Sequence, residues 1–312
     1  MKSIVLSNPG QPSTYIFKDF PIPEPLPGHV VIKIQAFGLN HAEIHMRKGE
    51  WAEIAPVSGI ECVRNVAALM GGMGRTIPGS YAEYTRVPAD NVTAINSDLS
   101  WEELAALPES YATAWSFIFR NLELASGQTL LVRGGTSSLG QASINLAVNL
   151  GAKVIATTRN LDRAPKLYSL GVQRVELEGP DLSARLPEKK TIDTVLDLVG
   201  NSTLLDSLAI VRRGGRVCLG GWLGGLAPIA DFNPLLQMPS GVHFSLFASP
   251  HFGLPGFPVS DVPLQKIADE VKEGRYKAKP SKVFRFEEIA EAHKFMEEGG
   301  ATGKVVVKVG ND

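Results

Sequence analysis

The sequence predicts an α/β protein, with a doubly wound parallel sheet in the middle of the chain and a strand-rich part built from both ends. Three observations predict it. Between residues 127 and 248, apolar runs of strand length alternate with segments of helical spacing, the pattern of a parallel sheet covered on both faces. A glycine-rich turn stands between the first of these strands and the first helix. Outside this region the chain reads as short β-branched strands broken by proline and glycine.

A chain of 312 residues with 44% hydrophobic content exceeds one ordinary core and fits two domains. The expected divisions are 1–107 for the first part of the strand-rich domain, 108–259 for the sheet domain and 260–312 for the closing part. Thirty-one basic residues face 32 acidic ones, so neither nucleic acid nor a membrane surface is expected as a partner. Cys62 and Cys218 are the two cysteines and lie far apart in sequence. That argues against a disulfide scaffold and for a reducing, cytoplasmic setting. The first ten residues turn polar too soon for a signal peptide or a membrane span.

The elements follow in order. Pro21, Pro23, Pro25 and Pro27 rule out helix before Val30–Ile34, which reads as strand. Tyr81–Val87 alternates after Gly79 and reads as another. In the middle region, strands are expected at Leu130–Val132, Val154–Ala156, Val175–Leu177, Thr194–Val199, Arg216–Leu219 and His243–Phe247. Helices fill the intervals: one ends at Gly151, one spans Asp162–Leu170 before Gly171, and one spans Ser202–Arg213. In the closing part, Leu264–Glu273 and Glu287–Glu298 have helical spacing, and Lys304–Val309 is a final strand.

The most informative stretch is Val132-Arg133-Gly134-Gly135-Thr136-Ser137-Ser138-Leu139-Gly140-Gln141-Ala142. Glycine lets a strand-to-helix turn close sharply and present backbone N–H groups to a pyrophosphate, with the helix dipole behind them. Gly135, Thr136, Ser137, Ser138, Leu139 and Gly140 are therefore the candidate cofactor-binding loop. Ser138 departs from G-x-G-x-x-G, and a serine hydroxyl is able to cap the helix or bond a phosphate. A plain Gly/Ser turn is the alternative. The strand before, the helix after and the further alternations argue against it.

NAD sites place Asp or Glu at the end of the second strand, about 20 residues past the glycine loop. This chain has Thr157-Thr158-Arg159 there, with Arg163 one helical turn further on. A guanidinium fork matches a 2′-phosphate, so Thr158, Arg159 and Arg163 point to NADP(H). Gly220, after the fifth strand, and Lys304, at the closing strand, complete the expected cofactor contacts.

Gly38-Leu39-Asn40-His41-Ala42-Glu43-Ile44, with Arg47 and Gly49, resembles the segment N-x-x-D-x-x-x-R-x-G of zinc-independent quinone oxidoreductases, a branch of the medium-chain dehydrogenase/reductase family. Ser58-Gly59-Ile60-Glu61 resembles the G-x-E motif of the wider family. Gly79–Tyr84, the glycine loop, Thr157–Arg159, Arg213–Val217 and Thr302–Val307 fall in the family's order. The resemblance spans nearly the whole chain. It implies a central Rossmann domain, a GroES-like β-barrel domain made from both termini, and a homodimer paired through His243–Phe247. It also implies hydride transfer from NADPH to a small electron-poor acceptor, a quinone or an α,β-unsaturated carbonyl.

Two departures matter. Zinc-dependent relatives carry Cys at the position of Asn40 and His at that of Ile60, and neither Asn nor Ile replaces a thiolate or imidazole on Zn²⁺. His41 and His45 stand at i, i+4 spacing without further ligands, and no metal is expected. The second departure follows Cys62, where relatives run on for roughly two to three dozen residues against usual loop lengths. Here Val63-Arg64-Asn65 alone precede a segment like Val66–Gly72. Either a hairpin is lost or a segment near 62–66 is missing, and a true deletion is expected to leave barrel edges unpaired.

Without a Lewis acid, an acceptor that is already electron-poor is favoured. Asn40 is expected to bond the carboxamide or the acceptor oxygen, unless it caps a turn. Tyr81 is expected to donate a proton or stack on the acceptor, unless it is a core aromatic. Trp51 stands where relatives often have an aromatic near the substrate. Glu43 replaces the usual Asp and reads as structural. Met70-Gly71-Gly72-Met73-Gly74 reads as an adaptable cleft wall or a flexible loop. Two other readings stay open, an enoyl-thioester reductase and a catalytically inactive nucleotide-binding protein.

Overall fold

The computed structural model describes residues 1–188 and 190–310. It divides into two units, one of Met1–Ala112 together with the chain from Ser249 onward, the other of Thr113–Ala248. The divisions therefore fall later than 107/108 and earlier than 259/260. The first lies inside a helix that starts at Pro108. The second moves because the segment after Ser249 packs on the first unit, where Asn91 Nδ2 donates to the Phe252 carbonyl at 2.8 Å and Val259 is buried.

The first unit's strands in chain order are β1 (Lys2–Leu6), β2 (Tyr15–Asp19), β3 (His29–Lys33), β4 (Ala36–Leu39), β5 (Glu61–Val63), β6 (Val66–Leu69), β7 (Tyr84–Pro88) and β8 (Val92–Ala94). Helix α1 (His41–Arg47) leaves β4, and α2 (Trp101–Leu104) and α3 (Pro108–Trp115) follow β8. The expected break after Cys62 is a tight hairpin. Cys62 pairs with Ala68 and Val63 with Ala67, and Arg64 N–H closes the turn on the Val66 carbonyl at 2.9 Å. The short connection thus leaves both strands paired rather than exposing a barrel edge.

The second unit holds β9 (Thr129–Arg133), β10 (Lys153–Thr158), β11 (Arg174–Leu177), β12 (Ile192–Asp197), β13 (Val211–Leu219) and β14 (His243–Leu246). All pair in parallel, in the order β11-β10-β9-β12-β13-β14. This is the doubly wound arrangement expected from the alternation, with its switch point between β9 and β12. The helices are α4 (Ser138–Leu150), α5 (Ala164–Ser169), α6 (Leu182–Arg185), α7 (Leu204–Ile210) and α8 (Pro234–Gln237). Leu130, Leu131, Val132, Val154, Ala156, Val195 and Leu196 are wholly buried, which is why these strands read as continuous apolar runs. Gly151 closes α4 at φ 89°, the left-handed cap that glycine supplies without strain. The helix expected over Ser202–Arg213 is shorter, because Val211 pairs with Ile192 and already belongs to β13.

The chain returns to the first unit with α9 (Leu264–Lys272), β15 (Lys282–Arg285), α10 (Ile289–Glu297) and β16 (Val305–Lys308). A six-stranded sheet runs β15-β16-β4-β5-β6-β8, accompanied by the pairs β1-β2 and β3-β7. The barrel domain from both termini is therefore knitted by β16 lying antiparallel to β4. Its core centres on Phe37, which stacks on Tyr81 at 4.7 Å and meets Phe286 edge-on at 6.4 Å. Met73 is buried in this core, Met70 is buried as well, and Gly71, Gly72 and Gly74 turn with left-handed φ. The Met70–Gly74 run is thus a packed turn, neither an open wall nor a flexible loop. Among the described residues no helix is long and apolar enough to cross a membrane.

Phe37→Ala should leave an aromatic-sized void between β4 and the packed rings and cost about 3–5 kcal/mol. Urea unfolding followed by tryptophan fluorescence measures it; a cost below about 1 kcal/mol would place Phe37 outside the core.

Candidate active site

The glycine loop is held by the end of β10. Gly134 turns at φ 79°, its N–H donates to Thr157 Oγ1 at 3.0 Å, and Gly135 N–H donates to the Thr157 carbonyl at 3.0 Å. Ser137 is the N-cap of α4, and its Oγ accepts the Gly140 N–H at 3.0 Å. Gln141 Nε2 bonds the Thr136 carbonyl at 2.9 Å. Of the first four N–H groups of α4, Gly140's is thus taken by the cap, and Gln141's goes to the Ser137 carbonyl. Those of Ser138 and Leu139 have no partner within the helix. A Cβ on Gly140 would lie 2.6 Å from the Gly134 carbonyl oxygen and 2.9 Å from Gly135 Cα. The helix start therefore presses on the loop's own backbone, a cradle that fits a pyrophosphate group.

Thr158 is buried, and its hydroxyl closes a turn with Asn160, donating to the Asn160 carbonyl at 3.0 Å. Arg159 is exposed and Arg163 half-buried, on either side of this turn. Gly220 follows β13, and a Cβ there would meet the Phe117 ring at 2.3 Å. Its need for glycine is a packing need before it is a cofactor contact.

In the first unit, Asn40 heads α1 and sits in a buried polar cluster. Its N–H donates to Glu43 Oε2 at 2.9 Å. Its Nδ2 donates to Glu61 Oε1 at 2.9 Å and Glu43 Oε1 at 3.4 Å. Lys304 Nζ lies 2.5 Å from both Asn40 Oδ1 and Glu61 Oε1, and donates to Ser110 Oγ at 3.1 Å. An ammonium only donates and carboxylates only accept, so the Asn40 amide has one orientation here. Glu61 Oε2 accepts the Glu109 N–H at 2.8 Å. Lys304 was expected to meet the cofactor. Its ammonium, nearly fully buried, is instead committed to Glu61 and Asn40, because a buried carboxylate needs a paired cation. Glu43 has no cation bonded to it, and burial pushes its carboxyl up to about 8, with Lys304 opposing.

Tyr81 is not a substrate-facing residue. It is wholly buried, stacked on Phe37, and its hydroxyl bonds His293 Nε2 at 2.9 Å. Burial drives its phenol well above the ordinary range. The strand expected to begin at Tyr81 begins at Tyr84, because Tyr81 N–H turns to the Ser58 carbonyl at 2.9 Å and its ring enters the core. Trp51 is half-buried, with the Arg75 guanidinium 5.4 Å above its ring. His45 is bonded to Glu50. Among the described residues no group of three or more His, Cys, Asp or Glu is arranged to hold a metal ion.

Sequence reading placed Glu61 and Thr157 in motifs without giving either a role, and passed over Ser110, Arg133 and Glu178. One signal was present for Arg133: a charged residue ends a strand whose three preceding residues are apolar. For Ser110 and Glu178 nothing local marks the role.

A parallel sheet of this order, with a glycine loop opening α4, defines the second unit as a Rossmann-type nucleotide-binding unit. Residues 171–307 match the family model described as zinc-binding dehydrogenase. Human quinone oxidoreductase is 26% identical over 315 residues, 93% of this chain and 92% of that protein. A phenolphthiocerol/phthiocerol polyketide synthase from Mycobacterium tuberculosis is 25% identical over 303 residues, 90% of this chain; the chain spans only 13% of that protein's length. A solved NAD-dependent alcohol dehydrogenase is 26% identical, with a TM-score of 0.83 over 99% of this chain and 100% of that one. A mycobacterial protein solved with NADPH is 22% identical, with a TM-score of 0.83 over the same shares. The chain thus resembles the quinone oxidoreductases of the medium-chain dehydrogenase/reductase family, as its motifs imply.

Gly140→Val should lower NADPH affinity by about two orders of magnitude, near 2.7 kcal/mol, because the branched side chain displaces the helix start from the loop. Ser138→Gly should be mild, since its backbone N–H remains. Calorimetric titration compares them; normal binding by Gly140→Val would put the loop in the wrong register.

Glu43 keeps its proton to about pH 8 in the folded chain, against a reference value of 4.5. The folded state binds the extra proton between these values, so this group makes stability fall as pH rises from about 4.5 to 8. Glu43→Gln cannot ionise and should flatten that part of the profile. Urea unfolding across the range tests it, and an identical slope in both proteins would rule out Glu43 as the source.

Proposed function

We propose that the chain is an NADPH-dependent, zinc-independent oxidoreductase that transfers a hydride to a quinone or an α,β-unsaturated carbonyl. The observation that carries the reading is the Gly134–Gly140 loop, clamped on Thr157 and opening α4 with the N–H groups of Ser138 and Leu139. Those donors suit a pyrophosphate, and Arg159 and Arg163 suit a 2′-phosphate. When bound, the reduced nicotinamide supplies the hydride; the protein orients the reactants and excludes water.

Asn40 is the proposed polar contact of the first unit. Both ends of its amide are held, and the second lone pair of Oδ1 is left to accept from a carboxamide N–H. Trp51 is proposed as an aromatic wall for the acceptor. Asn40 and Ile60 offer no thiolate or imidazole, and Glu61 already has the Lys304 ammonium. This donor set suits an acceptor that needs no metal to polarise it. An NADPH-bound mycobacterial neighbour supports the cofactor, and the quinone oxidoreductase relatives support the acceptor class. The likeness to a stretch of a polyketide synthase favours one second reading, reduction of an enoyl thioester. The paired β5–β6 hairpin speaks against an inactive protein with a broken barrel. A homodimer is proposed through β14, the outermost strand beside β13, where Leu246 is 60% exposed.

NADPH oxidation measured in parallel with a small quinone, an enone and an enoyl thioester tests the reading, before and after dialysis against a strong chelator. Chelator-resistant turnover of the quinone or enone is expected. Turnover of the thioester alone would favour the second reading, and loss of turnover restored by Zn²⁺ would overturn zinc independence. NADPH should bind at least about tenfold tighter than NADH, roughly 1.4 kcal/mol, and Arg159→Ala should remove most of that preference. Equal affinities in the unaltered protein would sink the NADP assignment.

A further inference from the structure

Arg133 is wholly buried at the end of β9, directly before the glycine loop. A buried guanidinium persists only where its donors are met, and here they are. Nη2 lies 2.5 Å from Glu178 Oε1, and Nε 3.3 Å from Glu178 Oε2. Nη1 donates to Asp206 Oδ2 at 2.7 Å, and Nη2 to the Gly179 carbonyl at 3.0 Å.

Glu178 reaches from the end of β11 to the end of β10, where its Oε2 lies 2.5 Å from Thr157 Oγ1. The hydroxyl of Thr157 has one proton and two lone pairs. Oγ1 accepts the Gly134 N–H at 3.0 Å, so the proton must point elsewhere, and the carboxylate takes it. Arg133 pairs the Glu178 carboxylate through Nη2 and Nε and so orients it for that task. The chain of bonds runs from the guanidinium through the carboxylate and the hydroxyl to the first N–H of the loop. The next N–H, of Gly135, is held by the carbonyl of the same threonine. Arg133 also pairs a carboxylate that follows Leu177, the β11 partner of Thr158. Unpaired, that charge would repel a phosphate bound beside Arg159.

We propose that Arg133, Glu178 and Thr157 are positioning residues, a relay that sets the glycine loop so that the α4 N–H groups face a pyrophosphate. The inference rests on the reading of this unit as the NADPH site.

The test uses Thr157→Val and Thr157→Ser, titrated calorimetrically with NADPH and with adenosine 2′-monophosphate, which lacks the pyrophosphate, alongside thermal unfolding. Valine keeps the shape and strand preference of threonine but removes the hydroxyl; serine retains it. Thr157→Val should bind NADPH about tenfold more weakly, in line with a lost hydrogen bond to the loop. It should bind the monophosphate within about twofold of the unaltered protein, and Thr157→Ser should recover most of the NADPH affinity. Glu178→Gln should show the same selective loss, because its amide NH2 must face either Arg133 Nη2 or the Thr157 hydroxyl proton, donor against donor. Unchanged NADPH affinity in Thr157→Val overturns the relay, as does an equal loss for both ligands, which would mean general loosening. If the unaltered protein binds no nicotinamide nucleotide, the NADPH reading fails first and the relay with it.

Discussion

An ammonium and a carboxylate buried together, Lys304 and Glu61, are the interaction on which the first unit depends. Lys304 precedes β16 and Glu61 opens β5, so the pair ties the end of the chain to its beginning. Neither charge tolerates burial alone, and removing one partner of such a pair typically costs about 3–5 kcal/mol. Its consequences spread outward. A Cβ on Gly38 would lie 2.3 Å from Lys304 Cε and 2.6 Å from Glu61 Oε1, so β4 must carry glycine beside it. The Asn40 amide is turned by the same ammonium, and Glu109 N–H by the same carboxylate.

That pair also decides what the cluster offers chemically. With its positive charge supplied by a lysine, Glu61 has no need of a metal for neutralisation. The neighbouring Glu43 lies too deep to ionise readily and holds its proton to about pH 8. The result is a buried polar cluster of fixed hydrogen-bond directions rather than a set of proton donors. This agrees with a reaction in which the cofactor carries the chemistry and the protein supplies orientation.

The second unit follows the same logic with a different cation. Asp197 is satisfied by the Val199 and Gly200 N–H groups and by the hydroxyls of Thr203 and Ser207. Asp206 and Glu178 share Arg133. These groups gather near the carboxyl ends of β9, β11 and β12, the edge at which parallel sheets bind ligands. Buried polar networks of this kind are rigid when every member is bonded, and rigidity at that edge is what a phosphate loop requires.

The sequence by itself determined the parallel sheet, because strands buried on both faces must be apolar throughout and their helices amphipathic. It also determined the glycine loop, since only glycine fits where Gly140 meets the Gly134 carbonyl. Arg159 and Arg163 lie just after β10, one exposed and one half-buried, a placement that local sequence sets. Side-chain roles that depend on distant segments were decided only by the tertiary structure. Tyr81 reads equally as substrate contact or core until Phe37 and His293 close around it. Lys304 reads as a cofactor contact until Glu61 and Asn40, the latter 264 positions earlier in the chain, are brought to its ammonium. The short link after Cys62 reads as a break until β5 and β6 pair across it. In each case the deciding factor is the cost of burying a polar group. That cost depends on which partners folding delivers, and local sequence carries no record of them.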